Sequence, residues 1–303
     1  MISNLEKEIT LRYLKTRKKD GFLNIISIFS FIGISLGVAV LIIVMSVMNG
    51  FRTELINKII GFNSHVTIKS YNQPIDKTKL ENSNLKLISK DLIFSNSGEA
   101  IIIKKNFTKG VALRGYKNND FPKLEIFKNN DFVGDINNLS QNFISVGSEL
   151  SYDLNVKVGD KIMIMSSSGV ETIIGSLPKQ QTFIVSSIFK SGLAEFDQNV
   201  VFMNLETLES FLNLKVDERV LEIFLKKPIK ISKTKIYLQK IFPDDYIFTW
   251  ADLNKSLFSA LKVERNVMFI ILSLIIVVAA FNIISGLTIL VKNKTKEIAI
   301  LKS

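Results

Sequence analysis

The residues whose chemistry could support catalysis or metal binding are few and scattered. The chain of 303 residues has one histidine, His65, and no cysteine. A structural zinc site needs four such ligands and a nucleophilic triad needs a base beside its nucleophile, so His65 alone supports neither. Asp244 and Asp245 follow Pro243 in a turn-like context, and adjacent carboxylates do not converge on one substrate. We therefore predict no catalytic residue, no metal site and a structural role for His65.

The motif that cradles nucleotide phosphates, Gly-x-x-x-x-Gly-Lys-Ser/Thr, does not occur in the chain. Any energy from ATP must therefore come through a partner. The formal net charge is +11, but the basic residues are scattered, without zinc spacing or an RNA-binding aromatic motif. Nucleic acid is therefore not a predicted partner. Because cysteine is absent, a disulfide framework is also excluded and stability must come from packing.

The most prominent elements of the sequence are two long apolar segments. Residues 21–51 and 266–291 contain no Asp, Glu, Lys or Arg, and each exceeds the roughly 20 residues with which a helix crosses a bilayer. The first segment is too long for the core of a signal peptide, so we expect a retained anchor. Within it, Gly33 and Gly37 have the spacing that permits close helix approach. The sequence predicts a membrane protein.

The charges at the two ends of the chain predict its orientation. Residues 1–20 hold six Lys and Arg against three acidic residues, and residues 292–303 hold four against one. The positive-inside rule places such short basic flanks in the cytoplasm and therefore residues 52–265 outside it. Apolar residues at helical spacing within 5–17 predict an amphipathic helix on the inner membrane surface, with a cytosolic extension of the first span as the alternative.

The segment between the two apolar runs is polar, rich in turns and large enough to bury a core of its own. A helical continuation is expected at 53–60, and helices at 205–212, capped by Asn204, and at 232–242. Strand-like runs occur at 66–69, 100–104, 111–114, 143–146, 161–165, 182–188, 200–203 and 222–225. Serine and glycine separate the strand-like runs near residues 166–183, which predicts a projecting hairpin, with an ordinary surface loop as the alternative.

These observations predict an α+β membrane protein in which transmembrane helices flank a large mixed α/β periplasmic domain with a projecting hairpin. The predicted domains are a cytoplasmic amphipathic helix at 1–20, a first transmembrane helix at 21–51 and a periplasmic domain at 52–265. A second transmembrane helix is predicted at 266–291, and a short basic cytoplasmic segment follows it at 292–303. The domain between the helices is large enough for two lobes.

Several strings of residues carry a family resemblance. Residues 12–14 read RYL, 18–22 read KKDGF, 32–51 read IGISLGVAVLIIVMSVMNGF, 279–285 read AAFNIIS and 296–302 read KEIAILK. They resemble the spans and coupling helix of lipoprotein-releasing ABC transporter permeases of the LolC and LolE type, in the MacB/FtsX-like superfamily. Residues 175–185, GSLPKQQTFIV, resemble the hook with which LolC-type members recruit a carrier. The resemblance runs from residue 5 to the end of the chain and is strongest in the spans.

The resemblance implies a MacB-like architecture and a transport mechanism. In that architecture residues 292–303 start a cytoplasmic coupling helix, and the periplasmic domain has a core and an inserted β-rich lobe that carries the hairpin. Paired permeases would accept a lipoprotein from the outer leaflet of the bacterial inner membrane, and a LolD-like ATPase that binds ATP and Mg would drive its release to a LolA-like carrier. The second permease would be LolE-like or an identical copy, and this chain would bind membrane lipid but no cofactor of its own. Family members have four spans, so the end at Ser303 within the coupling motif is expected to be a fragment boundary.

The resemblance also implies three groups of site residues. The lipoprotein cavity would be lined by Met48, Phe51, Leu55, Leu261 and Met268. The carrier-docking hook would use Leu177, Pro178, Lys179, Gln180, Gln181 and Phe183, where Gln181 replaces an arginine that LolC-type members often have. The residues that couple to the ATPase would be Lys296, Glu297, Ile298 and Leu301.

Three alternatives remain open on the sequence. The Met and Phe residues at the end of the first span can serve simple lipid-facing packing instead of lining a cavity. A MacB-like or FtsX-like permease would keep this fold but transmit ATPase motion across the membrane without moving a lipoprotein. A two-span receptor with an exterior sensor domain is the alternative from another class, although no signalling domain follows the second apolar run.

Overall fold

The structure is a computed structural model, and it describes Glu8 and residues 21–71, 74–82, 85–104, 107–128, 132–137, 139–140, 142–172 and 175–302. The predicted amphipathic helix at 5–17 lies outside the described residues, apart from Glu8. The described residues form two compact units. One consists of the chain up to Thr53 together with the chain from Ser256, and the other consists of residues Glu54–Lys255.

The first unit is built from two long helices, α1 (Gly21–Phe62) and α10 (Lys255–Lys302). Among the described residues, Phe31–Phe62 and Lys255–Gly286 are long and apolar enough to cross a membrane. Helix α1 continues without a break through the predicted helical extension at 53–60, so that prediction is confirmed. A helix satisfies its own backbone hydrogen bonds, which is the condition for crossing hydrocarbon.

The second unit contains a mixed sheet. Its strands are β1 (Val66–Lys69), β2 (Ser89–Lys104), β3 (Phe107–Tyr116), β4 (Phe132–Gly134), β5 (Phe143–Gly147), β6 (Lys161–Thr172), β7 (Gly175–Phe189), β8 (Val200–Asn204), β9 (Val220–Leu225) and β10 (Tyr246–Thr249). Their order in the sheet is β10-β1-β9-β2-β3-β8-β5-β7-β4, and β6 pairs with β2 and β7. The pairs β3–β8 and β5–β7 are parallel, and the other strand pairs are antiparallel.

Short helices connect and cover these strands. They are α2 (Lys77–Asn82), α3 (Leu85–Ile88), α4 (Glu125–Lys128), α5 (Ser148–Asp153), α6 (Ala194–Asn199), α7 (Leu205–Leu212), α8 (Ile231–Ile241) and α9 (Trp250–Leu253), with 3-10 turns at Asn118–Lys123, Val216–Glu218 and Pro228–Lys230. The predicted cap of α7 is confirmed, because the Asn204 side chain accepts a hydrogen bond from the Thr207 N–H at 3.2 Å. The fold class predicted from sequence, a mixed α/β domain flanked by apolar helices, is confirmed.

Strand β1, which follows α1, and strand β10, which precedes α9 and α10, are neighbours. They pair antiparallel with Val66 opposite Thr249, and the Trp250 N–H donates to the His65 carbonyl at 3.1 Å. Thr249 and Asp252 form a capping box that starts α9, and α10 begins two residues after α9 ends. The two segments that connect the domain to the membrane helices therefore leave from the same edge of the sheet.

Two large apolar clusters among the described residues stabilise the second unit. One surrounds the β6–β7 hairpin and α7, and it includes Phe183 and Phe211. The other, here called the aromatic cluster, brings together Phe62, Tyr116, Phe121, Phe127, Phe189 and Phe202. Phe62 is the last residue of α1, so the aromatic cluster attaches the end of this helix to the core of the domain.

Candidate functional site

The hairpin formed by β6 and β7 projects beyond the sheet. Strand β6 pairs with β2 only from Met163 to Ser166, whereas the β6–β7 register continues past a bulge to Thr172 opposite Gly175. Among the described residues, the segment from Gly169 to Pro178 therefore has only hairpin partners. The projecting hairpin predicted near residues 166–183 is confirmed by this pairing.

The predicted hook residues divide into an exposed group and a supporting group. Leu177 is 62% exposed, and Pro178 and Gln180 are also exposed. Gln181 is half-buried, and its Nε2 donates to Asn142 Oδ1 at 3.3 Å. Phe183 is fully buried and packs edge-on against Phe211, with ring centroids 5.6 Å apart. In this structure Phe183 thus supports the base of the hairpin and offers no surface to a partner.

Lys179 fixes the hairpin to helix α7. Its Nζ donates to the Ser210 carbonyl at 2.7 Å and lies 6.0 Å from the centroid of the Phe211 ring. Ser210 is in the last turn of α7, where carbonyl groups lack partners within the helix and the helix dipole favours a cation. Lys179 is therefore a structural brace: it holds the hairpin against helix α7.

We expect Lys179→Ala to loosen the hairpin without unfolding the domain. The lost charge-assisted hydrogen bond is worth about 1.5 to 3 kcal/mol when buried and less at this exposed position. Hydrogen exchange should therefore accelerate by roughly three- to tenfold in the β6–β7 amides of residues 163–181. Lys161→Ala, an exposed lysine at the base of the same hairpin, is the matched control. Equal exchange in the two variants would contradict the role of Lys179 as a brace.

The predicted cavity residues lie along the membrane helices. In each helix the less exposed positions recur at three- and four-residue intervals. In α1 they include Ile34, Val38, Leu41, Met45 and Met48. In α10 they include Leu261, Glu264, Met268, Leu272 and Ile275. We call these two rows the helix seams. Met48, Leu261 and Met268 lie on the seams, whereas Phe51 is 57% exposed. Leu55 is half-buried and belongs to the second unit.

The predicted coupling residues Lys296, Glu297, Ile298 and Leu301 lie in the last turns of α10. Their backbone is helical, as a coupling helix requires, but their side chains lie outside the described part of the chain. The assignments of the cavity and of the coupling residues stay predictions.

His65 has the structural role that was predicted for it. It is buried, and its Nδ1 accepts a hydrogen bond from the Leu225 N–H at 2.6 Å. Burial lowers the pKa of His65 from 6.5 to about 4, so the ring is neutral at pH 7. Within the described residues no group of three His, Cys, Asp or Glu side chains is placed to hold a metal ion.

The His65 pKa predicts a loss of stability in acid. The folded value of about 4 lies below the unfolded value of 6.5, so the contribution of the neutral ring is present above pH 6.5 and is lost as the pH falls toward 4. At pH 5 the loss amounts to about 2 kcal/mol. Urea unfolding of the full chain at pH 7 and pH 5 should show this loss in the wild type, and His65→Gln should lack that part of it. Equal pH dependence in both proteins would contradict the assignment.

A buried polar network that the sequence reasoning missed holds the end of α1. The Glu222 carboxylate accepts from Ser95 Oγ at 2.6 Å and from the Tyr116 hydroxyl at 3.0 Å, and burial raises the pKa of both Glu222 and Tyr116. Arg114 favours the charged carboxylate, and its Nη2 donates to Asn63 Oδ1 at 2.8 Å. The sequence indicates this network only through two charged residues, Arg114 and Glu222, each of which lies in an otherwise apolar strand-like run.

The same arginine also contacts the aromatic cluster. The Arg114 guanidinium lies 5.0 Å from the centroid of the Phe62 ring, and Phe62 stacks on Phe196 at 4.1 Å. Phe62 is the last residue of α1, and Asn63 is the first residue after it. The end of this helix is therefore held by a cation–π contact, a stacked ring and a hydrogen bond. These contacts attach the end of α1 to strand β3 through Arg114.

Comparison with known proteins identifies the family. The family model described as MacB-like periplasmic core domain matches residues 27–236. The lipoprotein-releasing system transmembrane protein LolC of Neisseria meningitidis is 31% identical over 99% of this chain and 74% of its own length. LolC of Xylella fastidiosa is 29% identical over 100% of this chain and 74% of that protein, and LolE of Haemophilus influenzae is 28% identical over 97% and 73%.

Among solved structures, the periplasmic region of MacB from Actinobacillus actinomycetemcomitans is 10% identical and covers 65% of this chain and 94% of that one. The TM-score of this match is 0.39. The family is shown by the family model over residues 27–236 and by the 31% identity to LolC of Neisseria meningitidis. The chain belongs to the LolC/LolE family of lipoprotein-releasing ABC transporter permeases, which carry a MacB-like periplasmic core domain.

Proposed function

We propose that this chain is the permease subunit of an ATP-driven transporter that extracts outer-membrane-destined lipoproteins from the inner membrane and passes them to a periplasmic carrier. The observation that carries the proposal is the projecting hairpin, which offers Leu177, Pro178 and Gln180 to solvent on a domain attached to two apolar helices. An exposed apolar residue on a projecting hairpin suits recognition of a soluble partner.

The proposed assembly follows from what the chain lacks and from its relatives. With no nucleotide-binding loop of its own, the subunit would depend on a LolD-like ATPase that binds ATP and Mg. A second permease, either LolE-like or an identical copy, would supply the other half of the cavity, and a LolA-like protein would be the carrier. Both ends of this chain would face the cytoplasm and the domain would face the periplasm.

The energetic demand explains why both an ATPase and a carrier are needed. Each acyl CH₂ group that leaves the membrane costs about 0.8 kcal/mol if it is exposed to water. A cavity between the membrane helices, with Met48, Phe51, Leu55, Leu261 and Met268 as candidate lining, would shield acyl chains until a carrier accepts them. Thioether side chains adapt to apolar ligands of variable shape, which suits Met48 and Met268 to this role. Lys296, Glu297, Ile298 and Leu301 would receive the motion of the ATPase.

Photo-crosslinking in cells tests the proposal. A photoreactive amino acid at Gln180 in the assembled transporter is expected to crosslink to a small periplasmic lipoprotein carrier. The same amino acid at Ile236, an exposed residue of α8, is the matched control and should not crosslink to it. If an assembled transporter gives no carrier adduct from Gln180, a mechanotransmitting permease of the MacB or FtsX kind becomes the better assignment.

A further inference from the structure

The carboxylate of Glu222 lies beside the segment that ends α1. Strand β9 pairs with β1 so that Glu222 is opposite Thr67, and Thr67 Oγ1 is hydrogen-bonded to Ser64 Oγ at 2.8 Å. On its other side Glu222 is opposite Ile93 of β2. The residue as a whole is half-buried, but its carboxylate lies in the interior. The proposed transport function assigns no role to this carboxylate.

The groups that face the carboxylate come from three strands. On β3, Arg114 is the cation that favours the charged form of Glu222, and the Tyr116 hydroxyl donates to the carboxylate at 3.0 Å. Strands β1 and β2 present the neutral groups Thr67 and Ser95. The charge of this buried carboxylate is therefore balanced by one guanidinium.

The same guanidinium holds the end of α1. Arg114 is half-buried, its Nη2 donates to Asn63 Oδ1 at 2.8 Å, and it lies 5.0 Å from the centroid of the Phe62 ring. Without the negative charge of Glu222, a half-buried cation would keep an amide oxygen and an aromatic ring as partners but lose its counter-charge. Water would then compete for the guanidinium. The attachment of α1 through Arg114 should therefore depend on the charge of Glu222.

The protonation of Glu222 and the position of Arg114 are linked. Burial raises the pKa of Glu222 above that of an ordinary glutamate, and the nearby charge of Arg114 opposes this rise. If Arg114 moves away, the opposition is lost and the pKa of Glu222 rises further. A proton then binds more tightly to the state in which Arg114 has moved away, so protonation must favour that state.

We propose that Glu222 is a proton-sensitive latch at the end of α1: as a carboxylate it keeps Arg114 against Asn63 and Phe62, and as a neutral carboxyl group it lets the guanidinium turn toward solvent. As the pH falls, the latch opens before exposed glutamates take up protons, since the pKa of Glu222 is the higher one. Because folding raises this pKa, protonation of Glu222 does not itself unfold the domain, and the expected change is confined to the end of α1. The latch does not depend on the proposed transport function.

Hydrogen exchange of the full chain in phospholipid nanodiscs tests the latch. The reporters are the amides of residues 60–65, at the end of α1 and just after it. Glu222→Gln, which keeps the shape of the side chain and removes its charge, should accelerate their exchange at least fivefold at pH 7. Glu209→Gln is the matched control, because Glu209 is a buried carboxylate that Arg219 binds at 2.7 Å on α7. It should leave these amides unchanged.

A second variant separates the latch from a general loss of packing. With Arg114→Gln already present, Glu222→Gln should add no further acceleration at residues 60–65, since both changes act through one contact. Additive acceleration by the two changes would overturn the proposal. Unchanged exchange in Glu222→Gln at pH 7 would also overturn it.

The pH dependence of exchange gives a test that needs no change at Glu222. His65, whose ring lies 5.8 Å from that of Phe224 on β9, also titrates in acid, so the comparison uses His65→Gln as its background. After correction for the intrinsic rate, exchange at residues 60–65 should rise at least threefold from pH 7 to pH 5. The rise should be absent when Arg114→Gln is added. A rise across the whole domain, or none at these residues, would contradict the latch.

Discussion

Leu177→Asp is expected to reduce capture of the periplasmic carrier at least tenfold while leaving the fold intact. Leu177 is 62% exposed, and it lies in the part of the hairpin that pairs only with the opposite strand of the hairpin. The loss of a residue at a binding hot spot costs about 2 kcal/mol or more, and about 1.4 kcal/mol already corresponds to a factor of ten in affinity. A carboxylate placed there would have to be desolvated without a partner. The yield of carrier crosslinked from Gln180 measures the effect.

The control for this experiment is Leu87→Asp. Leu87 is 70% exposed, similar to Leu177, but it lies on helix α3, which packs beside strand β2 and not on the hairpin. This variant removes the same side chain from a surface of the same domain. If both variants lower the crosslinking yield equally, the effect comes from surface charge or expression, and the hook assignment is wrong. If neither lowers it, the carrier does not depend on Leu177.

Elements with a strong local signal were predicted from sequence. Strand β1 matches the predicted residues 66–69, and α7 matches 205–212, because a capping asparagine and an amphipathic pattern define its start. Each of the eight predicted strand-like runs lies within an observed strand. The helix predicted at 232–242 is observed one residue earlier, as α8 at Ile231–Ile241. Local periodicity was sufficient where one face of the element is buried.

Elements that depend on distant partners were missed. The first half of β2, from Ser89 to Ser97, is rich in serine, asparagine and charge, which are poor strand formers. It is a strand because it pairs with β9, which brings Asp91 opposite Phe224, and then with β3. Strand β10 has only four residues and is held by β1. Tertiary pairing overrode local propensity in both cases.

In the candidate site, too, local elements were predicted and contacts between distant residues were not. The existence of the hairpin followed from turn residues and from the family resemblance, but the brace between Lys179 and Ser210 joins residues 31 positions apart. The contact between Arg114 and Asn63 joins residues 51 positions apart, and that between Tyr116 and Glu222 spans 106. Sequence patterns identify which face of a strand is buried, but they do not say which side chains meet across the sheet.

The second large effect is expected at the centre of the aromatic cluster. Phe202 is 1% exposed, and its ring lies 5.0 Å from that of Phe189, 5.3 Å from Phe127 and 5.9 Å from Phe62. Phe202→Ala should lower the free energy of unfolding by about 3 to 5 kcal/mol, because it removes buried area and leaves a cavity among rings that cannot collapse into it. Urea unfolding of the full chain, followed by the emission of Trp250, measures this loss.

Phe248→Ala is the matched control, because Phe248 is 39% exposed on strand β10 and its loss should cost roughly 1 kcal/mol or less. Phe202→Leu should recover part of the stability by refilling the cavity.

If the proposed transport function holds, Phe202 should also affect it. Since Phe62 ends α1 and packs on Phe202, a cavity there should weaken the attachment of this helix to the sheet even where the domain stays folded. The leucine variant should therefore lower lipoprotein release per ATP hydrolysed more than Phe248→Ala does, whereas equal release would show that this attachment does not contribute to transport.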